Sequence, residues 1–177
     1  RECTSLTSFI APHLSTLGQE TFVGCTNLKE CIVSGDAIIC HETFLNCTVL
    51  ERVELLGNTQ FADSFLSYSY WMPPFGGCTN LREVVLGENF TWIPSETFRG
   101  LYSLTNVVVS SSLVDIQSGA FANCTSLKCL EGAGSVTEIG RYAFERCISL
   151  ESFEGFSTVT NIGGSAFSGC SSLSGAV

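Results

Sequence analysis

Residues 127–149 read LKCLEGAGSVTEIGRYAFERCIS, and the spacing of the apolar side chains in this stretch decides the fold. Phe144 is followed three residues later by Cys147, and three later again by Leu150. The same F-x-x-C-x-x-L pattern runs along the chain, with Phe at 22, 44, 75, 98, 121, 144 and 167, so the spacings are 22, 31, 23, 23, 23 and 23. Three positions on stand Cys25, Cys47, Cys78, Leu101, Cys124, Cys147 and Cys170, and then Leu28, Leu50, Leu81, Leu104, Leu127, Leu150 and Leu173. Seven copies in one register are a structural repeat, and such a period means stacked units.

Each of these Leu residues opens an L-x-x-Φ-x-Φ segment, such as Leu81, Val84, Leu86 or Leu104, Val107, Val109. The period-2 alternation and β-branched content predict one short strand per copy. Five residues before most of the Phe positions sits an aliphatic residue: Leu17, Ile39, Ile93, Ile116, Ile139 or Ile162. Thr21, Thr43, Thr97, Ala120, Ala143 and Ala166 directly precede Phe, which predicts a crowded slot inside the coil. One copy cannot bury its Phe, Leu and aliphatics alone, whereas stacked copies bury them against the same positions above and below. Each buried Phe or Leu contributes about 1.5–3 kcal/mol. A slip of one residue turns the whole apolar set outward, so the register is enforced.

The 23-residue unit, with its Ile139-Gly140, Ala143-Phe144 and Cys147 landmarks, resembles the BspA-like class of leucine-rich repeat over nearly the whole chain. The resemblance implies a leucine-rich-repeat solenoid, an α/β-type right-handed superhelix. A parallel β-sheet would line its concave face, with short strands, 3-10 segments or turns on the convex face and little regular helix. Residues 1–177 are then one solenoid of about seven to eight coils. In function it implies bacterial or protist surface proteins that bind host or matrix molecules. A repeat names a fold and not a ligand.

Two departures stand out. Leu101 replaces the ladder Cys, so that slot takes an apolar residue of modest size. Leu50 to Phe75 spans 25 positions where regular copies span 16 or 17, which places an insertion of about eight residues within 56–74. Either Phe75 or Phe65 fills the ladder slot there, since Phe61-Ala62-Asp63-Ser64-Phe65 resembles a shortened Ile-to-Phe segment.

Composition narrows the partners. Charged residues make up 14% of the chain, against a usual quarter or so, and the formal charge is −9 with no Lys or Arg run. Nucleic acid and anionic membrane are therefore not expected partners. No apolar run approaches the roughly 20 residues that span a bilayer, and no secretory leader pattern is visible. The chain begins with Arg1 in mid-repeat, which suggests a piece of a longer polypeptide.

Ten cysteines raise the question of disulfides or metal. Six occupy the ladder slot and Cys3 falls 22 residues before Cys25, so the set reads as small buried hydrophobes in the reduced state. Cys31, Cys40, His41 and Cys47 look like zinc ligands along the line, but Cys31 and Cys47 are core positions and four converging ligands are needed. His13 and His41 fall on different coils, and no G-x-S-x-G, H-E-x-x-H or phosphate-cradling loop occurs. No enzyme activity, cofactor or metal is expected.

A binding reading has more to work with. The fifth strand position points away from the core and gives Ile10, Ile32, Glu54, Val85, Val108, Glu131 and Glu154. The third adds Ser8, Glu30, Arg52, Glu83, Asn106, Cys129 and Ser152, with Glu151 nearby. The insertion carries Phe65, Tyr68, Tyr70, Trp71 and Met72 before Pro73-Pro74, residue types enriched at interaction hot spots. These side chains equally suit a loop folded back over a coil edge, and the strand face equally suits a solvated surface. Asn46, Asn89 and Asn123 head N-x-[ST] sequons, candidate glycosylation sites in a secreted eukaryotic protein. The expectation is a non-enzymatic binding module, extracellular or on the cell surface, with a protein or glycan partner. Its alternative is an intracellular or structural scaffold that spaces the domains of a larger protein.

Overall fold

The computed structural model describes residues 3–62 and 72–174. In chain order the strands are β1 (Ser8–Ala11), β2 (Glu30–Val33), β3 (Ile38–Ile39), β4 (Arg52–Leu55), β5 (Gln60–Phe61) and β6 (Glu83–Leu86). There follow β7 (Trp92–Ile93), β8 (Asn106–Val108), β9 (Asp115–Ile116), β10 (Cys129–Glu131), β11 (Glu138–Ile139) and β12 (Asn161–Ile162). A 3-10 helix, Glu154–Ser157, lies between β11 and β12. The main sheet runs β1-β2-β4-β6-β8-β10, all parallel, and each strand is the L-x-x-Φ-x-Φ segment of one repeat. Short strands ending in the predicted aliphatics, or in Phe61 for β5, form a second layer, β7-β9-β11-β12 and, separately, β3-β5.

Between the layers lies a ladder of rings. Successive centroids of Phe22, Phe44, Phe75, Phe98, Phe121, Phe144 and Phe167 are 5.2 or 5.3 Å apart, with planes within 18° of parallel. That rise is a little above the roughly 4.8 Å between neighbouring strands of a sheet, so one ring is added for each coil of the backbone ladder. Seven rings bound six intervals, and among the described residues the solenoid makes about six turns.

The ladder resolves the insertion. Phe75 stacks between Phe44 and Phe98, so it holds the slot, and the alternative with Phe65 fails. Phe61 instead pairs with Ile39 in the second layer and is buried. Fourteen positions separate Phe61 from Phe75, where five separate Ile39 from Phe44, so the extra residues all follow Phe61. The second layer is interrupted at that point, between β5 and β7.

Two features of the coil were not visible as apolar pattern. The residue two after each ladder Phe has positive φ: Gly24, Asn46, Gly77, Gly100, Asn123, Arg146 and Gly169. Four of the seven are glycine and two are asparagine, the residues that enter the left-handed region at least cost. The ladder thiols also do more than fill space. Cys47, Cys78, Cys124, Cys147 and Cys170 each donate S–H to the carbonyl of the Phe one coil earlier, at 2.9–3.1 Å. Treating them as plain hydrophobes missed this donor. Leu101 supplies none, so among the described residues the Phe75 carbonyl keeps the turn bond from the Cys78 amide alone. In the slot before Phe, Thr43 and Thr97 are fully buried and turn their hydroxyls back onto the carbonyls of Cys40 and Pro94.

Candidate functional site

The parallel register of the main sheet sets its outward side chains in two straight rows. One row is Ile10, Ile32, Glu54, Val85, Val108 and Glu131, each beside the next. The other is Ser8, Glu30, Arg52, Glu83, Asn106 and Cys129. The inward partners between them, such as Val53, Val84 and Val107, are completely buried. Ile10 is 64% exposed, and Ile32, Val85 and Val108 are half-buried, so an aliphatic surface reaches solvent on a face that also carries charge.

The charges fall into two groups. In the middle, Arg52 Nη2 pairs with Glu54, its Nη1 lies 3.4 Å from Glu30 Oε1, and its Nε lies 3.2 Å from Glu83 Oε2 without hydrogen-bond alignment. One guanidinium thus ties three carboxylates on three successive coils. Glu54, expected to be available to a partner, has its carboxylate engaged and only 17% of its side chain exposed. The signal for this clamp was the sequence of Glu30, Arg52 and Glu83 down a single column.

At the far end, Glu131, Glu151 and Glu154 lie near enough to Cys129 for their fields to act on its thiol. Burial raises the Cys129 thiol above its ordinary range, and the fields of Glu131, Glu154 and Glu151 push it the same way, with Lys128 opposing. Glu131, Glu151 and Glu154 are exposed. Glu154 does not sit on a strand as its repeat position predicts; it opens the 3-10 helix, and its Oε2 accepts from the Gly132 amide at 3.3 Å. The departure follows from the neighbouring residues. Gly155 takes the position that Leu86 and Val109 fill, and a Cβ there would lie 2.5 Å from the Phe153 ring and 2.8 Å from the Ala133 carbonyl. Glycine also disfavours extended structure, so the segment turns.

Phe65, Tyr68, Tyr70 and Trp71 lie outside the described residues; Met72, at their edge, is exposed. Asn46 and Asn89 are exposed at turns, while Asn123 is half-buried. The Asn89 amide is already committed, donating to the Gly57 carbonyl and to Asn58 Oδ1 at 2.7 and 2.9 Å. His41 is buried, His13 is exposed and Cys40 is half-buried. Among the described residues no three His, Cys, Asp or Glu side chains are grouped so as to hold a metal ion. The ten thiols are free, and burial pushes Cys31, Cys47 and Cys147 up to about 12 and drives Cys78 and Cys124 well above the ordinary thiol range. Thiols held protonated are poor nucleophiles and poor metal ligands.

Among solved structures, a leucine rich repeat protein of T. pallidum superposes with a TM-score of 0.79 at 23% identity, over 96% of this chain and 78% of that one. A leucine-rich repeat protein from Bacteroides ovatus gives 0.58 at 24% identity, over 90% and 51%. A leucine rich cell surface protein from Faecalibacterium prausnitzii gives 0.55 at 25% identity, over 73% and 32%. The chain therefore spans about half of the second protein and a third of the third. No curated protein matches it. Six repeat copies match the family described as BspA type leucine rich repeat region, over residues 1–70 and 73–174. With its seven-ring ladder, its parallel main sheet and a repeat match over nearly its whole length, the chain belongs to the BspA type leucine-rich-repeat family, a class of repeat modules for protein interaction or scaffolding.

Proposed function

We propose that the chain is a non-enzymatic binding module, on the cell surface or secreted, that engages a protein or glycan through the outward face of the main sheet. The observation that carries the reading is the aliphatic row on that face. Ile10, Ile32, Val85 and Val108 stay at least partly in water although the core between the sheets is already filled by the Phe ladder. A rigid parallel sheet presents them without the ordering cost a flexible loop would bear. The likeness to a cell surface protein of Faecalibacterium prausnitzii supports the location. Protease treatment of intact cells, followed by a photo-cross-linking residue at position 108 or at position 161 in the second layer, tests both parts. The expected result is removal of the protein by external protease and partner adducts from position 108 alone. Full protection from protease, with adducts at neither position, overturns the reading in favour of an internal spacer.

A further inference from the structure

The two rows on the main sheet differ in what they still have to offer. Arg52 is occupied by Glu30, Glu54 and Glu83, and together these four side chains carry a net charge of −2. Val85 and Val108 stand side by side next to that group, and beyond them come Glu131, Glu151 and Glu154. Neither Glu131 nor Glu151 forms an ion pair among the described residues, and Lys128 is the one cation whose field bears on the Cys129 thiol beside them. The surface is thus an aliphatic strip between two zones of excess negative charge, in a chain whose formal charge is −9.

We propose that this face docks a cationic protein segment, with aliphatic side chains over Val85 and Val108 and Lys or Arg side chains on Glu131, Glu151 and Glu154. The proposal rests on the binding reading above and narrows it. Charge complementarity selects the occupant, since opposite potentials steer encounter and like charges exclude wrong partners. A nucleic acid is repelled by the same carboxylates. Neither outward row contains an aromatic ring on which a sugar could stack, which turns the choice from glycan to protein.

The test uses fluorescent 12-residue peptides as probes: one alternating lysine and valine, one lysine and serine, one glutamate and valine, and beside them a neutral labelled hexasaccharide. The expected result is that the lysine–valine peptide binds at least tenfold more tightly than the other probes and weakens as salt rises. Glu131→Lys with Glu154→Lys should weaken it at least tenfold and flatten the salt dependence. Val85→Thr with Val108→Thr, which keeps β-branched shape, should weaken it while leaving the salt dependence intact. Equal binding of the glutamate–valine peptide, or indifference to both variant pairs at an unchanged thermal midpoint, overturns the proposal. Hexasaccharide binding that Val85→Thr with Val108→Thr abolishes also overturns it, but leaves the sheet-face reading standing.

Discussion

At the scale of single residues, the repeat is set by backbone conformation as much as by burial. Seven equivalent positions adopt positive φ, and Arg146, at 58°, is the one held neither by glycine nor by asparagine. A left-handed L-residue costs about 1–2 kcal/mol, partly offset by the greater chain freedom glycine brings to the unfolded state. Arg146→Gly should therefore raise unfolding free energy by roughly 0.5–1 kcal/mol in urea titration. Gly100→Ala should lower it by about 1 kcal/mol through conformation alone, since a Cβ there meets nothing nearer than the Tyr102 hydroxyl at 4.0 Å. The thiol slot makes a second case. Cys124 is completely buried and donates to the Phe98 carbonyl at 3.0 Å, and that carbonyl also accepts from the Leu101 amide. Cys124→Ala removes the sulfur and one bond without orphaning the acceptor, so the loss should be about 1–2 kcal/mol by the same titration.

At the scale of elements, the main sheet was legible because each strand repeats Leu81, Val84, Leu86 or its equivalent, and burial enforces that pattern. The second-layer strands were legible only as isolated aliphatics such as Ile116 and Ile139. The motif places these residues, but two-residue strands carry no periodicity of their own. The seventh main-sheet segment misled: Leu150 and Phe153 keep the spacing, while Gly155 removes the side chain that would hold the segment extended. The outward rows were legible as rows, since alternation fixes which side chains face out. Their engagement was not, because Arg52 reaches carboxylates 22 and 31 residues away that only the stacked register brings beside it. The 3-10 turn yields its own prediction. Gly155→Ala drives a Cβ into the Phe153 ring and the Ala133 carbonyl, so the terminal coil should loosen at a cost of about 1–3 kcal/mol. Hydrogen exchange should speed at Thr158 and Val159, whose amides bond to the Gly155 carbonyl, while exchange in β2 and β4 stays unchanged.

For the whole molecule, the buried thiols couple stability to alkaline pH, and the sign follows from the shifts. Burial holds Cys31, Cys47 and Cys147 at about 12 and pushes Cys78 and Cys124 well above the ordinary range, against 9.0 for an unshifted thiol. Below pH 9 these groups are protonated whether the chain is folded or not, and they leave stability independent of pH. Between about 9 and 12 the unfolded chain loses protons that the folded chain keeps, so the unfolded state gains and stability falls. Each such thiol adds about 1.4 kcal/mol per pH unit to the slope, and the contributions accumulate because the groups are buried in one cooperative stack. Lysine and tyrosine also titrate in this window, so the slope must be assigned by difference. Urea unfolding at pH 8.0, 9.5 and 10.5 should show Cys124→Ala losing stability less steeply than the parent chain, by the equivalent of about one proton. Parallel slopes in the two proteins would mean that the folded chain ionises Cys124 as readily as the unfolded one, which a completely buried thiol bonded to a backbone carbonyl does not allow.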